Sequence, residues 1–271
     1  MPELPEVETT RRGLAPHVIG HVITDVVIRN RRLRWPVPRG LKTKLLGQKL
    51  LELERRAKYL LFRFQHGTLI LHLGMSGSLR VSAGGQPSGK YDHVEVGFQS
   101  GARLRLRDPR RFGCVLWTAG DPLRHALLAG LGPEPFSETF DSEYLYRKSR
   151  GRKQAVKTFI MDSRIVAGVG NIYASEALFY SGIRPQRAAG RLTKQQCGKL
   201  VWAIREVLQK SINAGGTTIR DYASGEGQPG YFTLELKVYG RAGEPCDHCG
   251  QPIKQTRIGQ RSAFYCVQCQ I

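Results

Sequence analysis

The chain has 271 residues, of which 42 are Lys or Arg and 22 are Asp or Glu, so its formal net charge is +20 at pH 7. This length suffices for a buried core, and 41% apolar and 24% charged residues are typical of globular proteins, which excludes a largely disordered chain. No apolar run is long enough to cross a membrane and the amino terminus does not resemble a secretory signal, so a polyanionic partner, DNA or RNA, is favoured over a membrane.

The first 118 residues are predicted to form a helix followed by many short strands. Residues 3–15 form the helix, which begins directly after Pro2 because proline is favoured at helix starts. Its apolar residues recur at helical spacing, at Leu4, Val7, Leu14 and Val18. Short apolar runs separated by Gly, Ser, Pro and Asp predict strands of a β-sandwich or barrel, with a short helix at residues 39–46. The strands are expected at residues 22–28, 50–53, 59–64, 68–73, 78–81, 93–98, 103–107 and 114–117.

The composition then changes to helical. Residues 130–140 are rich in Gly, Pro and Glu and indicate a linker. A helix is expected at residues 171–180, and a longer one at 192–212 with Thr193 as its N-cap and Gly215 as its stop. The longer helix has one apolar stripe, made by Cys197, Leu200, Val201, Ile204, Val207, Leu208 and Ile212. Residues 215–230 are predicted to be a functional or mobile loop.

Four of the six cysteines lie near the carboxyl end in two CxxC pairs: Cys246, Cys249, Cys266 and Cys269. Four thiolates at this spacing are typical of a tetrahedral zinc site, and a shell closed by four protein ligands indicates structural rather than catalytic zinc. The alternative is two redox-active disulfides. Residues 253–257 and 262–265, between the pairs, are predicted to be a hairpin that carries cationic side chains.

The amino terminus, MPELPE, suggests a nucleophile. Removal of Met1 would expose the secondary amine of Pro2, whose pKa of about 8 leaves a useful fraction unprotonated near neutrality. Such an amine can attack an aldehyde carbon and give an iminium, and Glu3 could act as general acid or base. The alternative is that Pro2 only starts the helix and that the acids only complement its dipole.

Two turns carry exposed-looking residues suited to nucleic acid. Residues 107–113, RDPRRFG, place arginines beside an aromatic ring, and residues 74–77, GMSG, present a methionine. Arginines can contact phosphates, and apolar side chains can fill the gap left by a displaced base. Either turn can equally be an ordinary hairpin tip. Lys58 at a strand start and the basic run at residues 147–157 are by themselves most often solvated.

Six segments in order resemble the bacterial formamidopyrimidine-DNA glycosylase family, also called 8-oxoguanine DNA glycosylases, across the whole chain. They are residues 2–8 (PELPEVE), 58–60 (KYL), 72–77 (HLGMSG), 108–113 (DPRRFG), 168–176 (GVGNIYASE) and the zinc motif with residues 260–261 (QR) and 264–266 (FYC). The resemblance implies an α+β fold: an N-terminal β-sandwich with an N-terminal helix, a helical helix-two-turn-helix domain and a C-terminal zinc finger. We expect boundaries of 1–133, 134–236 and 237–271.

The resemblance also implies an activity, removal of oxidised purines from duplex DNA followed by strand cleavage. Pro2 would attack C1′ and form a Schiff base, with Glu3 as its acid–base partner and Glu6 as a supporting residue. Lys58 would donate a proton in β-elimination, and Arg261 would play the corresponding role in δ-elimination. The implied cofactor is one structural zinc ion.

DNA contacts are implied as well. Met75, Arg110 and Phe112 match residues that fill and probe the duplex, Asn171 and Arg261 match phosphate clamps, and Arg152 matches a basic contact. The 215–230 loop matches a segment that closes over the flipped base. The sequence departs from the family at Tyr91, where relatives often carry His. Tyrosine can donate to a phosphate but carries no positive charge near neutrality, so the role of Tyr91 in DNA binding is open.

Other functions compete with this interpretation. An endonuclease-VIII-like glycosylase for oxidised pyrimidines would share Pro2, Glu3, Lys58 and zinc. A zinc-ribbon DNA-binding protein without catalysis fits the charge and the cysteines equally well, but it needs no free Pro2 amine. An RNA-structural protein is a further alternative. We expect a monomer in the bacterial cytoplasm, associated with the nucleoid through DNA.

Overall fold

The computed structural model describes residues 2–83, 86–215 and 236–271. Within these ranges one compact unit contains residues up to 129 together with 212–215, and a second contains 130–211 and 236–271. The three domain boundaries expected from the sequence remain a prediction. The predicted loop at 215–230 lies, apart from its first residue, outside the described residues.

The first unit is a β-sandwich that follows a helix, α1 (Leu4–Val18). One antiparallel sheet has the order β1-β6-β7-β5 and the other has the order β2-β3-β4-β8. The strands of the first are β1 (Ile23–Ile28), β6 (Asp92–Phe98), β7 (Arg103–Arg107) and β5 (Ser78–Ser82). Those of the second are β2 (Glu52–Arg56), β3 (Tyr59–Phe64), β4 (Gly67–His72) and β8 (Cys114–Thr118). A short helix, α2 (Leu41–Leu45), lies in the connection between β1 and β2.

The two sheets and the helix share one apolar core. Phe62 and Leu71 from the second sheet and Val96 and Leu106 from the first belong to the same buried cluster as Val7 of α1. The register places Leu60 opposite Leu71 and Leu104 opposite Val96. Burial of these side chains from both sheets drives the packing of one sheet on the other. Of the two predicted architectures, sandwich and barrel, the protein therefore has the β-sandwich.

The start of α1 differs from the prediction. The helix begins at Leu4 with Glu3 as its N-cap, and Pro5, not Pro2, is the proline of the first turn. A proline there loses no hydrogen bond, since first-turn N–H groups have no partner within the helix. Pro2 therefore lies ahead of the cap, and α1 extends to Val18, beyond the predicted end at residue 15.

Strand β2 was also misplaced by the sequence pattern, which predicted residues 50–53. The strand runs from Glu52 to Arg56 because it pairs antiparallel with β3, with Arg56 opposite Tyr59 across the turn. Only Leu53 of this strand is buried. Its charged residues gave no apolar signal, and the tight connection to β3, not hydrophobicity, sets its position.

The second unit is helical and ends in a β-hairpin. Its helices are α3 (Ser142–Ser149), α4 (Val156–Met161), α5 (Asn171–Tyr180) and α6 (Lys194–Gly215). The last turn of α6, from residue 212, belongs to the first unit. The hairpin consists of β9 (Lys254–Ile258) and β10 (Arg261–Tyr265). The predicted apolar stripe of α6 is buried along its whole length. Thr193 caps this helix: the Gln196 N–H donates to Thr193 Oγ1 at 3.1 Å, and the Thr193 N–H donates to Gln196 Oε1 at 3.1 Å.

The segment predicted as a linker, residues 130–140, is instead a packed part of the second unit. Phe140 is fully buried. The Arg205 guanidinium of α6 donates to the carbonyls of Pro135, Ser137 and Phe140 at 2.8–3.0 Å. Gly and Pro interrupt regular structure in this segment, but a segment without helix or strand can still be held by side-chain donors to its carbonyls.

Among the described residues, no helix combines the length and apolar character needed to cross a membrane.

A cluster of charges fastens α1 to the second sheet. Glu8 of α1 pairs with Arg11 and Arg12 at 2.8 Å and with Arg55 of β2 at 3.1 Å. Burial by itself raises the pKa of Glu8, but hydrogen bonds and charges from these arginines outweigh it and lower the pKa to about 2.

We expect Glu8→Gln to lower the free energy of unfolding at pH 7 by about 1–3 kcal/mol, since the amide leaves arginine donors poorly paired. A carboxylate whose pKa is lowered on folding stabilises the protein above its unfolded pKa, and that contribution is lost as pH falls from about 4.5 to about 2. The difference between wild type and variant, measured by urea unfolding, should therefore shrink in this window.

Glu143→Gln is the matched control, because Glu143 pairs with Lys194 on an exposed surface and should cost under about 0.5 kcal/mol. Equal losses for the two variants would contradict the buried-cluster interpretation.

Candidate active site and nucleic-acid interface

The amino-terminal residues are held by the first turn of α1. Pro2 is partly buried and Glu3 is only 2% exposed. The Glu3 N–H donates to Glu6 Oε2 at 2.7 Å, so Glu6 closes the helix start around the residue that follows Pro2. Glu3 thus follows Pro2 in the chain as a buried residue whose side chain accepts the Glu6 N–H, and Glu6 in turn has a positioning contact with the Glu3 backbone.

Lys58 lies in the turn between β2 and β3. The preceding residue, Ala57, is buried and has φ +54°, in the left-handed region that residues with a β-carbon seldom occupy. Lys58 itself is partly buried. The backbone of such a constrained turn fixes the direction in which the lysine side chain leaves it. Lys58 is therefore better ordered than the solvated lysine that the sequence alone would suggest.

His72, at the end of β4, is a residue that the sequence reasoning did not single out. Its ring lies 4.7 Å from that of Tyr59, and its Nδ1 accepts the Gly74 N–H at 2.9 Å. Burial, and then the positive charges of Lys58 and Arg34, lower its pKa to about 4, so the imidazole is neutral at neutral pH. The sequence offered a signal for His72 in the HLGMSG segment, where this histidine precedes the turn at residues 74–77.

Two loops of the first unit, residues 74–77 and 108–113, are joined into what we term the double loop. Asp108 is fully buried between them. Its Oδ1 accepts the Ser76 hydroxyl at 2.8 Å, and its Oδ2 accepts the Gly113 N–H at 2.7 Å. One carboxylate therefore binds both loops together, so their tips are displayed as a single surface.

The loops also approach each other at the backbone. Gly74 has φ +67°, and a β-carbon there would lie 2.4 Å from the Phe112 carbonyl carbon. This distance is far inside van der Waals contact, so only glycine fits. The GMSG turn is consequently not an ordinary hairpin tip but half of a packed pair.

The double loop brings three predicted DNA-binding residues together. The Arg110 guanidinium lies 4.9 Å from the Phe112 ring centre, and its Nη2 lies 3.6 Å from Met75 Sδ. Phe112 is 42% exposed, whereas Met75 is partly buried, less exposed than its turn suggested. A cation flanked by an aromatic ring and a thioether is suited to a gap in a base stack.

Tyr91 lies beside the double loop. Its carbonyl accepts the Asp108 N–H at 3.0 Å, and its ring lies 5.5 Å from Lys90 Nζ and 5.8 Å from the Arg107 guanidinium. The two neighbouring cations supply the positive charge that tyrosine lacks at this position.

The remaining predicted contacts belong to the second unit. Asn171 is the first residue of α5, and within the described residues its buried Oδ1 accepts no hydrogen bond. Helix amino termini favour anions, which fits a phosphate contact.

Arg152 is exposed after α3. The basic run around it was expected to be solvated, but Lys157 is buried, and its Nζ donates to the Ser262 carbonyl at 2.5 Å.

Lys157 thereby anchors the hairpin that carries Arg261. Arg261 begins β10 and is exposed, and it pairs with Ile258 of β9. The link between α5 and the segment before the hairpin was likewise unpredicted: the buried Glu176 accepts the N–H groups of Lys237, Val238 and Tyr239 at 2.8–3.0 Å. Both contacts join residues far apart in the chain, so periodicity gave no sign of them.

The four cysteines converge at one end of the hairpin. Their Sγ atoms all lie within 4.8 Å of one another, with 3.9 Å between Cys246 and Cys269 and 3.4 Å between Cys249 and Cys266. Zn–S bonds of about 2.3 Å in a tetrahedron place sulfurs about 3.8 Å apart, so the donor set fits zinc. None of the four is in a disulfide. His248 is exposed, as expected of a non-ligand, and Cys197 is buried filler.

Three family models match the chain in succession: the formamidopyrimidine-DNA glycosylase N-terminal domain over residues 1–115, the formamidopyrimidine-DNA glycosylase H2TH domain over 131–223, and the zinc finger found in FPG and IleRS over 243–271. The chain belongs to the formamidopyrimidine-DNA glycosylase family. The predicted family, the α+β fold with its helix-two-turn-helix domain and the zinc site are confirmed. Zinc is held by the four cysteines.

Relatives in this family match the chain from end to end. The formamidopyrimidine-DNA glycosylases of Methylococcus capsulatus and Stutzerimonas stutzeri are 57% and 56% identical over 270 residues, covering 100% of both chains. The crystal structure of the Lactococcus lactis FPG (MutM) protein in complex with FAPY-dG-containing DNA is 34% identical, with a TM-score of 0.89 and 99% of each chain covered.

The glycosylase fold depends on zinc at its carboxyl end. We expect Cys266→Ser to release the metal, because a structural zinc site rarely survives loss of one of four thiolates. Zinc per chain, measured by atomic absorption, should fall from one to near zero.

Cys114→Ser is the control: this cysteine is buried at the start of β8 and is not one of the four clustered thiols, so its replacement should leave one zinc per chain. Full zinc content in Cys266→Ser would contradict the four-cysteine site.

The double loop depends on both oxygens of Asp108. Asparagine offers one acceptor, so Asp108→Asn leaves either the Ser76 hydroxyl or the Gly113 N–H without its acceptor. We expect a loss of about 1–3 kcal/mol in the free energy of unfolding, measured with urea. Asp162→Asn, which removes the exposed pair with Arg164, should cost under about 0.5 kcal/mol. If Asp108→Asn lowers the free energy of unfolding no more than Asp162→Asn does, the interpretation that Asp108 holds the two loops together would be contradicted.

Proposed function

We propose that this protein is a bifunctional DNA repair enzyme, which removes 8-oxoguanine and formamidopyrimidines from duplex DNA and then cleaves the strand by β- and δ-elimination. The observation that carries the proposal is the amino terminus, where Pro2 precedes a buried Glu3 in a chain of this family. Base excision is assigned to Pro2 and Glu3, and strand cleavage to Lys58 and Arg261.

The chemistry starts with the secondary amine of Pro2 once Met1 has been removed. The amine attacks C1′ of the lesion nucleotide, the bond from C1′ to the base breaks, and the base leaves with the bonding electrons. Glu3 is the group that transfers protons at this step, because it is the carboxylate beside the nucleophile. The amine nitrogen loses its proton, and C1′ is then bonded to this nitrogen and to the ring oxygen O4′. The C1′–O4′ bond breaks, O4′ takes the bonding electrons and a proton, and the nitrogen lone pair forms the C=N bond of the iminium. This iminium withdraws electrons from C2′ and makes its hydrogen acidic.

Strand cleavage follows from this iminium. Loss of a C2′ proton expels the phosphate at C3′, which is β-elimination, and a further proton loss expels the phosphate at C5′, which is δ-elimination. Lys58 serves the first step and Arg261 the second. Both eliminations need the covalent adduct at Pro2, so one nucleophile supports base removal and strand cleavage.

The double loop accounts for access to the base. A base inside a duplex is unreachable until it is flipped out, at a cost of a few kcal/mol. Met75 and Phe112 would offset the lost stacking, and Arg110 between them would bond the orphaned cytosine. Tyr91, Arg152 and Asn171 would contact the backbone.

The net charge supplies sequence-independent affinity for the duplex. Zinc has four thiolate ligands and no open position, so its role is to fold the hairpin that presents Arg261. A monomer acting in the cytoplasm and associated with the nucleoid through DNA completes the proposal.

Borohydride trapping tests the mechanism. The protein is mixed with a duplex carrying 8-oxoguanine opposite cytosine, borohydride is added, and the cross-link is mapped by mass spectrometry. We expect an adduct at Pro2. We also expect Glu3→Gln to slow base removal by about 10²–10⁴-fold, the usual contribution of general acid–base catalysis, while Glu143→Gln remains as active as wild type.

The other outcomes separate the competing functions. Faster excision of thymine glycol than of 8-oxoguanine would favour the pyrimidine-specific sister enzyme. Binding without an adduct, with Met1 shown to be absent, would reject the lyase mechanism and favour a zinc-ribbon DNA-binding protein.

A further inference from the structure

The charge cluster between α1 and the second sheet does more than stabilise the fold. In this cluster the Arg55 side chain is only 12% exposed, and its Nε lies 3.1 Å from Oε2 of Glu8. Glu8 lies on the helix whose amino end carries Pro2. Arg55 lies on the strand that leads into the turn with Lys58. The pair therefore connects the two segments to which base removal and β-elimination are assigned.

The same guanidinium also contacts the turn itself. Arg55 Nη1 donates to the Ala57 carbonyl at 3.1 Å. That carbonyl belongs to the peptide group that contains the Lys58 N–H, so the bond fixes the orientation of the peptide plane from which Lys58 departs. Ala57 is the residue with φ +54°, and a strained backbone of this kind persists only where surrounding contacts hold it.

A second bond from α1 supports the same strand. Arg11 Nη2 pairs with Glu8 Oε1 at 2.8 Å, and its Nη1 donates to the Leu53 carbonyl at 3.3 Å. The helix is thus fixed to β2 just before Arg55. Arg12, by contrast, bonds Glu8 within the same helix, at 2.8 Å, with its side chain 45% exposed.

We propose that Arg55 is a positioning residue for strand cleavage: by bonding Glu8 of α1 and the Ala57 carbonyl at once, it holds Lys58 in the place from which it acts on the Pro2 adduct. This inference rests on the function proposed above for Pro2 and Lys58. It assigns Arg55 no contact with DNA and no proton transfer.

Arginine is required for this role because its planar guanidinium donates in two fixed directions. Lysine is a point charge on a flexible stem; it can keep the ion pair with Glu8 but cannot reproduce both bonds in the same geometry. Arg55→Lys therefore retains the charge balance of the cluster and removes the orientation of the turn. Arg12→Lys is the matched control, since it makes the same change at another partner of Glu8.

The experiment separates two steps on a duplex with a preformed abasic site. One measurement is the single-turnover rate of strand cleavage, and the other is the rate at which the borohydride-trapped Pro2 adduct forms. We expect Arg55→Lys to slow cleavage at least fivefold and to change adduct formation less than twofold, because misplacement of a proton donor affects only the step it serves. Arg12→Lys should change both rates less than twofold.

Other results would overturn the inference. A general structural defect in Arg55→Lys would slow both steps in parallel and lower the unfolding temperature, and an unchanged cleavage rate would exclude a positioning role. If Arg55→Lys fails to fold, Arg55→Met replaces it, because this side chain fills a similar space and removes the two bonds of the guanidinium, while Arg11 still joins α1 to the Leu53 carbonyl. An unchanged ratio of the two rates would again reject the proposal. A wild-type protein that forms no Pro2 adduct would reject the proposed function itself.

Discussion

The nucleophile that we propose, Pro2 after removal of Met1, would be held by covalent bonds on one side only, and the contacts at the start of α1 bear on this constraint. The proline ring removes one backbone rotation from residue 2. The following residue is then fixed as the N-cap of α1 by the Glu6 carboxylate. The helix is fixed in turn to the sheet by Glu8 and Arg55. Each contact restricts a longer piece of chain, so acids placed along one helix would fix the position of the amine that we propose as the nucleophile.

The acids that perform this anchoring also explain how the surface stays so basic. Several carboxylates are buried, among them Glu3, Glu8, Glu95, Asp108 and Glu176. Glu95, for example, pairs with Arg103 and Arg105, and Asp108 binds loop donors. Each of these acids is committed to contacts within the protein. With only 22 acids against 42 basic residues, this allocation leaves a strong positive field available for a polyanion.

Much of the architecture was predictable because it rests on local signals. The period of the α6 stripe, the Thr193 cap, most strand limits and the paired CxxC motifs are all readable within a few residues. The linker at 130–140 and strand β2 were misjudged because their positions depend on distant partners, Arg205 and β3. The site residues fall into the same two groups, those that local motifs identify and those whose contacts depend on distant partners. Motifs singled out Pro2, Lys58 and Met75, but the Asp108 contact with Ser76 and the Arg55 contact with Glu8 join residues 32 and 47 positions apart through side-chain geometry.

The carboxyl-terminal hairpin shows why a metal is needed where a core is not possible. Its two strands have five residues each, and its buried cluster contains Val238, Ile253 and Phe264 beside two of the cysteines. So small an apolar set cannot by itself offset the entropy of ordering the segment, and zinc supplies the missing stabilisation. The metal holds one end, while the buried Lys157 bonds the Ser262 carbonyl at the other. Arg261 directly precedes Ser262 in the chain, so its backbone is fixed by the Lys157 contact as well as by the metal. An exposed cation is therefore presented from a defined position.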